Sequence, residues 1–336
     1  MIQYTEPTVT EDDIKAVEKV LRSKIWTQGS KVKEFEDSIC EYVGCRFTVA
    51  CNSATSGLFL AYKGLGVREG VEVVTTPITY PATANMIIEC GGTVRFQFRT
   101  MLVGDFCVPV HLAGVPQPAY GKIVVEDASH ALGSEVTHGI GKKSMVGSCY
   151  GTDACVFSTH AIKNVPTGEG GLVCTNDEKL ADFCRLMRSH GMKDGECVIP
   201  GYNFRMTDIQ AALGISQLKR INKMRSLRQE IVDEYNDALF PYVTTPAERK
   251  CSTFWHIYII GTNKKVKLHN RLLKKHIATR THYPPVYSQP FYRRLGYSPI
   301  PEADEWVDTH LTLPLHCNLT GKEISRVIEE VKRGVK

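Results

Sequence analysis

The chain has 336 residues, of which 43% are hydrophobic and 23% charged, and its formal net charge is +5. This length exceeds the usual size of a single core, so we expect two domains in an ordinary water-soluble protein. The charges form no runs and no eighteen apolar residues follow one another, which disfavours nucleic acid and membranes as partners.

The cysteine pattern indicates a reducing compartment and no metal site. The chain has 12 cysteines, but none forms a C-x-x-C pair, and the closest spacings (Cys40/Cys45/Cys51 and Cys149/Cys155) match neither zinc ligands nor a redox motif. Scattered thiols in a chain of this size fit the cytoplasm. The first residues, MIQYTEPTVTEDD, lack the basic and apolar segments of a signal peptide. We therefore expect a cytoplasmic protein.

The first half of the chain predicts alternating strands and helices. Thr10, followed by three acidic residues, is typical of a helix start. Alternation of this kind favours an α/β fold with a largely parallel sheet, in which function gathers at the carboxyl ends of strands. The predicted strands are 47–50, 71–76, 93–98, 107–112 and 123–125, and the further helices are 31–42, 58–64 and 79–89.

Two connections in this half are short. Segments 99–106 and 113–122 are each shorter than a crossover that contains a helix. Either these strand pairs are not simple parallel crossovers, or helices present in larger relatives have been lost. We expect one face of the sheet to be thinly covered there.

The second half predicts strands 154–157 and 171–175, a helix at 178–188, and a long helical region from a capping box at Thr207 and Gln210 to about residue 240. We place the domain boundary within or just after this region, which divides the chain into a large domain, 1–235, and a smaller one, 236–336. Strand 256–261 and helices 269–276 and 321–332 indicate that the smaller domain is α+β.

Three polar stretches stand where strands end. Asp127 follows KIVVE, and its carboxylate either caps the next turn or pairs with a cationic ligand. Ser53 to Ser56 lie between a strand and a helix, a layout that either caps the helix or also aims backbone N–H groups at an anion. Lys163 is central to FSTHAIKNVPTGEGG (157–171). It is either a solvated surface charge or a Schiff-base lysine.

A lysine, an acid and an anion loop are the parts that pyridoxal phosphate (PLP) requires. The chain strongly resembles the DegT/StrS family of nucleotide-sugar aminotransferases over essentially its whole length. The motifs that carry the resemblance are EDASHALGSE (126–135), FSTHAIKNVPTGEGG (157–171) and GYNFRMTDIQAALGISQLKR (201–220). It implies an aspartate-aminotransferase-like fold (type I PLP fold), with PLP as cofactor.

The resemblance also implies roles for individual residues. Lys163 forms the Schiff base and moves the proton, Asp127 keeps the pyridine nitrogen protonated, and His130 approaches the ring's 3-hydroxyl. Tyr80, in TYPATAN, stacks on the ring; the alternative is an ordinary core tyrosine. The implied phosphate ligands are Thr55, Ser56, Ser158 and, from the neighbouring subunit of a homodimer with shared active sites, Asn203.

Within the family the pattern is nearest to the branch that aminates carbon 4 of UDP-4-keto-6-deoxy hexoses in pseudaminic acid synthesis. The residues shared with it include TQG, TTPI, SHALGSE, RSHGM and HYPPVY. This implies L-glutamate as amino donor and a nucleotide sugar as acceptor. Amination of carbon 3, a dTDP or GDP carrier, and a non-catalytic PLP-binding relative are the alternatives. Residues expected to meet the sugar, or else to be packed surface residues, are Gln28, His282, Tyr283 and His316.

Overall fold

A computed structural model describes residues 1–138, 141–246 and 252–336. The predicted α/β architecture is confirmed in it. Its α-helices are α1 (Glu11–Ser23), α2 (Ser30–Val43), α3 (Ala54–Gly64), α4 (Ala82–Glu89), α5 (Glu178–Met187), α6 (Asp208–Leu218), α7 (Ile221–Leu239), α8 (Lys265–Lys274), α9 (Pro290–Arg294), α10 (Pro301–Thr309) and α11 (Gly321–Val335).

The strands are more numerous than the sequence predicts, and most of the additional ones are only two to four residues long. They are β1 (Phe47–Cys51), β2 (Glu72–Thr75), β3 (Thr93–Phe96), β4 (Leu102–Val103), β5 (Phe106–Val108), β6 (Ala119–Tyr120), β7 (Ile123–Asp127), β8 (Glu135–His138), β9 (Lys142–Met145), β10 (Ala154–Ser158), β11 (Gly171–Thr175), β12 (Met192–Lys193), β13 (Glu196–Cys197), β14 (Tyr258–Gly261) and β15 (His310–Leu313).

The central sheet has seven strands in the order β1-β11-β10-β7-β5-β2-β3. β10, β7, β5, β2 and β3 run parallel to one another, whereas β11 runs antiparallel to both β10 and β1. The carboxyl ends of the parallel strands therefore meet at one edge of the sheet, which is where sites gather in sheets of this kind.

At β10, helices cover both faces of this sheet. Along β10, the side chain of Val156 packs in a cluster with residues of α3, α4 and α5. Its neighbours Cys155 and Phe157 pack on the opposite face, with residues of α2, α6 and α7, since successive strand residues point to opposite faces. Burial on both faces explains why the strands read as continuous apolar runs.

The two short connections join strands that are parallel, so the first of the two alternatives is wrong. Between β3 and β5 the chain forms only β4, and between β5 and β7 it forms a 3₁₀ turn and β6. β4 pairs with β6 in parallel, and the cluster beneath them is small: Val74, Leu102, Cys107 and Val124, with Ala119 packed against it. This face is thinly covered, as expected.

The predicted helical region from Thr207 to about residue 240 consists of two helices. α6 ends at Leu218 and α7 begins at Ile221. The region is helical as predicted, with a break between the two helices, and the capping box at Thr207 and Gln210 is present. The predicted strand 107–112 is also shorter, since β5 ends at Val108.

A third apolar cluster lies in the C-terminal part of the chain. It joins the end of α7 to α8, α11, β14 and β15, and it includes Ile2 from the N-terminus. β14 and β15 pair antiparallel, which fits the predicted α+β character. The boundary at residue 235 stays a prediction. Among the described residues, no helix is long and apolar enough to cross a membrane.

Candidate active site

A cavity of about 420 Å³ lies at the carboxyl ends of the parallel strands. Asp127 ends β7 and Ser158 ends β10, and both side chains line this cavity together with Lys163. The β10–β7 register pairs Val156 with Asp127. Parallel pairing thus brings together residues that are distant in sequence. This agrees with the prediction that functional residues gather at the carboxyl ends of parallel strands.

Lys163 lies in the turn between β10 and β11, and backbone hydrogen bonds hold this turn. Thr159 N–H donates to Gly170 O (2.9 Å), and Lys163 N–H donates to His160 O (2.8 Å). Gly168 has a φ of 86°, a left-handed conformation that glycine adopts without strain. The side chain of Lys163 is partly buried. Burial lowers the pKa of its ammonium to about 8, although the negative charge of Asp127 opposes this.

Asn164, the next residue, anchors the turn to the protein interior. Its side-chain amide donates to the carbonyl oxygens of Leu132 (3.2 Å), His130 (3.4 Å) and Phe254 (3.4 Å). Its own carbonyl oxygen accepts from the buried guanidinium of Arg228 at 3.2 Å. The Lys163 backbone is thereby tied to α7 and to the start of the C-terminal part.

The carboxylate of Asp127 is buried and held at both oxygens. Oδ2 accepts a hydrogen bond from the Thr83 hydroxyl (2.6 Å). Oδ1 accepts from the Ser129 hydroxyl (2.6 Å) and from the Ser129 N–H (3.2 Å). Donors at both oxygens satisfy this buried carboxylate and fix its orientation. Asp127 is therefore equipped to hold a cationic N–H group in the cavity.

The N-terminus of α3 borders the same cavity, which is lined by Ser53, Ala54 and Thr55. Ser53 caps the helix by accepting the Ser56 N–H at 3.1 Å. A β-carbon on Gly171 would lie 2.3 Å from Ser53 O, so only glycine permits this close approach of β11 to the cap. The positive end of the helix dipole therefore faces a site for an anion.

His130 and Tyr283 meet on another wall of the cavity, where Nε2 of His130 and Oη of Tyr283 are 3.1 Å apart. Burial and the positive charges of Lys163 and His282 hold the pKa of His130 well below its usual range. The exposed ring of Tyr80 also lines the cavity and makes an edge contact with Tyr283, with ring centroids 5.9 Å apart. His282 lines it as well.

Of the predicted cofactor ligands, Thr55, Tyr80, Asp127, His130, Ser158 and Lys163 line this cavity, as do His282 and Tyr283 among the predicted sugar contacts. Four predicted residues do not. The Ser56 hydroxyl donates to Asn52 Oδ1 (2.7 Å), and His316 is buried elsewhere. Gln28 and Asn203 are exposed. The roles of all these residues stay predictions.

Sequence reasoning missed other residues of the site. Thr83 and Ser129 stand within the quoted motifs TYPATAN and EDASHALGSE, so those motifs contained the signal. Tyr4 also lines the cavity, but no local pattern points to it. Its backbone accepts the Leu315 N–H at 3.0 Å, so contacts with a distant segment place it there.

Comparison with known proteins identifies the class of this fold. The structure of PseC from Helicobacter pylori, an aminotransferase of pseudoaminic acid biosynthesis, superposes with a TM-score of 0.88 and 32% identity over 99% of each chain. The PLP form of Spr1654 from Streptococcus pneumoniae gives a TM-score of 0.90 and 28% identity over 99% of this chain and 98% of that one. The fold is that of the type I PLP aminotransferases, as expected.

Sequence comparison identifies the family. The model of the DegT/DnrJ/EryC1/StrS aminotransferase family matches residues 7–97 and 101–332. The chain belongs to this family, and the enzyme is an aminotransferase. Spore coat polysaccharide biosynthesis protein SpsC of Bacillus subtilis is 33% identical over 385 aligned residues, which cover 100% of this chain and 97% of SpsC.

A second relative is named UDP-4-amino-4,6-dideoxy-N-acetyl-beta-L-altrosamine transaminase, from Helicobacter pylori. It is 35% identical over 369 residues, which cover 98% of this chain and 96% of that protein. Both alignments are longer than the 336 residues of this chain, so the relatives carry residues that it lacks. This agrees with the second alternative for the short connections, that larger relatives carry elements absent here.

The cofactor of this family is PLP, and the cavity has the chemistry to hold it. Lys163 supplies an amine whose pKa is lowered to about 8. Asp127 supplies a carboxylate with hydrogen-bond donors at both oxygens, and α3 supplies a helix N-terminus for a phosphate. An aldehyde, a pyridinium and a phosphate each have a suitable partner here.

Proposed function

We propose that this enzyme moves an amino group from L-glutamate to the keto carbon, carbon 4, of a nucleotide-linked 4-keto-6-deoxy sugar. The observation that carries the proposal is the cavity in which a lysine of lowered pKa shares space with Asp127 and with the N-terminus of α3. The names of the relatives in Helicobacter pylori and Campylobacter jejuni, which are UDP-amino-sugar transaminases, support the choice of sugar.

Lys163 has the proton-transfer role. Bound PLP supplies an aldehyde that joins amines and a ring that accepts electrons from the adjacent carbon. Because its pKa is about 8, a far larger fraction of Lys163 is a free amine near neutral pH than for a solvated lysine. Its Nζ takes a proton from the carbon that bears the amino group of glutamate and later delivers one to the former keto carbon of the sugar.

Asp127 holds a proton at the ring nitrogen of the cofactor. Thr83 and Ser129 donate hydrogen bonds to its carboxylate and hold it in place, and a carboxylate beside a nitrogen favours the protonated form of that nitrogen. Thr55, Ser158 and the N-terminus of α3 bind the phosphate. Tyr80 orients the ring by stacking on it.

We further propose that the active form is a homodimer with shared sites. Asn203 and Gln28 are exposed and do not line the cavity of their own chain, which is what residues contributed to a neighbouring subunit require. Asn203 then contacts the partner's phosphate group, and Gln28 the partner's sugar. His282, Tyr283 and His316 are the proposed sugar contacts within the chain, although burial of His316 would require rearrangement for it to touch a ligand.

The test is an assay of the purified enzyme with PLP, L-glutamate and a panel of keto sugars. The panel contains UDP-4-keto-6-deoxy hexoses, a 3-keto sugar, and sugars carried by dTDP and GDP, and mass spectrometry detects the amino sugar and 2-oxoglutarate. We expect transfer to the UDP-4-keto sugar, and none by Lys163→Ala. Preference for another sugar would show that the proposed substrate is wrong. Absence of transfer to any sugar would favour a non-catalytic PLP-binding relative.

A further inference from the structure

The imidazole of His130 is held by a strained turn of the short connection between β5 and β7. The backbone N–H of Ala113 donates to Nδ1 of His130 at 3.3 Å. Ala113 has a φ of 62° and a ψ of 5°, a left-handed conformation that is uncommon for a residue other than glycine. Strain of this kind persists only where the surroundings enforce it, and it is often found at functional sites.

Three further contacts enforce the turn. The carbonyl of Ala113 accepts the His256 N–H at 3.0 Å, and the carbonyl of Gly114 accepts the Ser134 hydroxyl at 2.7 Å. A β-carbon on Gly114 would lie 2.2 Å from Phe254 O. The Ala113 peptide is therefore fixed between two parts of the chain, and the direction of its N–H is fixed with it.

This contact decides which nitrogen of His130 carries the proton. Nδ1 accepts a hydrogen bond from an amide, so a proton on Nδ1 would place two donors 3.3 Å apart. The neutral ring must therefore carry its proton on Nε2. The Nε2–H group then donates to Oη of Tyr283 at 3.1 Å.

The doubly protonated ring is disfavoured as well. Burial, followed by the nearby Lys163 and His282, holds the pKa of His130 well below its usual range. The ring of His256 packs on it with centroids 4.4 Å apart, and burial and the same neighbours lower the pKa of His256 too. Both imidazoles are neutral near pH 7 on these grounds.

We propose that the Ala113 amide, His130 and Tyr283 form a hydrogen-bond relay of fixed direction, which leaves the Tyr283 hydroxyl as a proton donor to an oxygen atom bound in the cavity. Because Oη accepts from His130, its own hydrogen is free for an acceptor. Tyr283 lines the cavity beside Lys163. Burial and the negative charge of Asp127 raise its pKa, so the phenol keeps its hydrogen.

The acceptor is an oxygen that is negative or becomes negative during the reaction, either on the cofactor ring or on the keto sugar. The inference rests on the proposed function for this acceptor, but the direction of the relay does not depend on it. Tyr283 acts on the acceptor directly, whereas His130 and Ala113 act through it and are positioning residues. The short connection between β5 and β7 thus orients, through His130, the hydroxyl of Tyr283 that donates to the reacting groups.

The first test reads the tautomer itself. The full-length protein is prepared with ¹⁵N-labelled histidine, and the two ring nitrogens of His130 are observed by NMR with PLP bound and after its removal. The signals are assigned by their loss in His130→Gln. We expect protonated Nε2 and unprotonated Nδ1 in wild type and in Tyr283→Phe, because Ala113 still occupies Nδ1. A proton on Nδ1, or on both nitrogens, would overturn the relay.

The second test separates the donor from its support in steady-state kinetics. Tyr283→Phe keeps the ring but loses the hydroxyl, and we expect kcat to fall about 10- to 100-fold with a smaller change in KM, as for a hydrogen bond to a charged group. The matched control is Tyr287→Phe, which loses a buried hydroxyl bonded to Asp304 at 2.8 Å outside this cavity. Equal activity of the two variants would overturn the proposal.

His130 variants test the coupling. His130→Gln can keep a donor at the position of Nε2 and should retain most of the activity, whereas His130→Leu should lose about as much as Tyr283→Phe. The double variant His130→Leu/Tyr283→Phe should be little worse than either single variant, since both act through one hydroxyl. Fully additive losses would contradict a relay. If His130→Leu does not fold, the NMR measurement of the His130 tautomer and the kinetics of Tyr283→Phe still test the relay.

The two proposals can fail separately. If the enzyme transfers no amino group to any sugar but His130 carries its proton on Nε2, the proposed function fails and the direction of the relay stands. If transfer is observed while the proton is on Nδ1, the relay fails and the proposed function stands.

Discussion

The hydroxyl of Thr83, on α4, donates a hydrogen bond of 2.6 Å to Oδ2 of Asp127, at the end of β7. Thr83 itself is fully buried, so water cannot replace this donor. We expect Thr83→Val, which keeps the shape but removes the hydroxyl, to weaken PLP binding about 10- to 100-fold, the range for a buried hydrogen bond to a charge. Titration of the cofactor-free enzyme by absorbance measures it.

The matched control is Thr48→Val on β1. Thr48 is equally buried, but its hydroxyl contacts the thiols of Cys40 (3.2 Å) and Cys174 (3.6 Å) and not the cavity. We expect this variant to change the free energy of unfolding and leave PLP affinity unchanged. Unchanged affinity in Thr83→Val as well would mean that Ser129 alone suffices to hold Asp127.

A second prediction concerns the pH dependence of PLP uptake. Only the neutral amine attacks an aldehyde, so the uptake rate of the cofactor-free enzyme should rise with pH through a midpoint of about 8, the lowered pKa of Lys163. Asp127 raises this pKa, so Asp127→Asn should move the midpoint to lower pH. Stopped-flow absorbance gives the rates.

Borohydride reduction identifies the lysine involved. The yellow holoenzyme should be labelled at Lys163, and Lys163→Ala should remain unlabelled. A midpoint near 10.5, the ordinary value for lysine, would show that the amine is solvated in solution. A midpoint that rises in Asp127→Asn would contradict the proposed interaction with Asp127.

A third prediction tests the shared site. Asn203 is exposed in its own chain, and its backbone pairs with Ser189. If its side chain serves the neighbouring subunit, Asn203→Ala and Lys163→Ala should each impair activity, whereas mixed dimers of the two should regain one working site per dimer. Co-expression with two affinity tags isolates these mixed dimers. Mixed dimers no more active than the parents would place both residues in one subunit's site.

A fourth prediction concerns stability toward acid. Burial and the charges of Lys163 and Arg280 lower the pKa of His282 from 6.5 to about 4, and the pKa values of His130 and His256 are lowered as well. Between pH 6.5 and 4 the unfolded chain therefore binds more protons than the folded one. The free energy of unfolding should fall as the pH drops through this window.

Urea unfolding of the holoenzyme at several pH values measures this slope. His282→Gln removes one of the three groups, so its slope below pH 6.5 should be shallower. His269→Gln is the matched control, because His269 lies on α8 outside the cavity and its ring bonds to Thr279. An equal slope in wild type and His282→Gln would contradict the lowered pKa of His282.

Several features of the fold follow from local patterns. Buried strands such as β10 and β11 read as apolar runs, and the capping box at Thr207 marks the start of α6 correctly. The break after Leu218 and the two-residue strands β4 and β6 were not predictable. They depend on contacts between segments distant in sequence, which leave no periodic signal in so few residues.

The sequence by itself determined the chemical groups of the site and the family: Lys163 after a strand, Asp127 after another, and a capped helix at Ser53, arranged in motifs of the DegT/StrS aminotransferases. Only the tertiary structure decided how these groups are held. Three hydrogen bonds that hold them join residues from different parts of the chain: Thr83 to Asp127, Arg228 to Asn164, and the Ala113 amide to His130. Such contacts arise from packing and strand register, because hydrogen-bond direction requires three-dimensional positions that no local pattern contains.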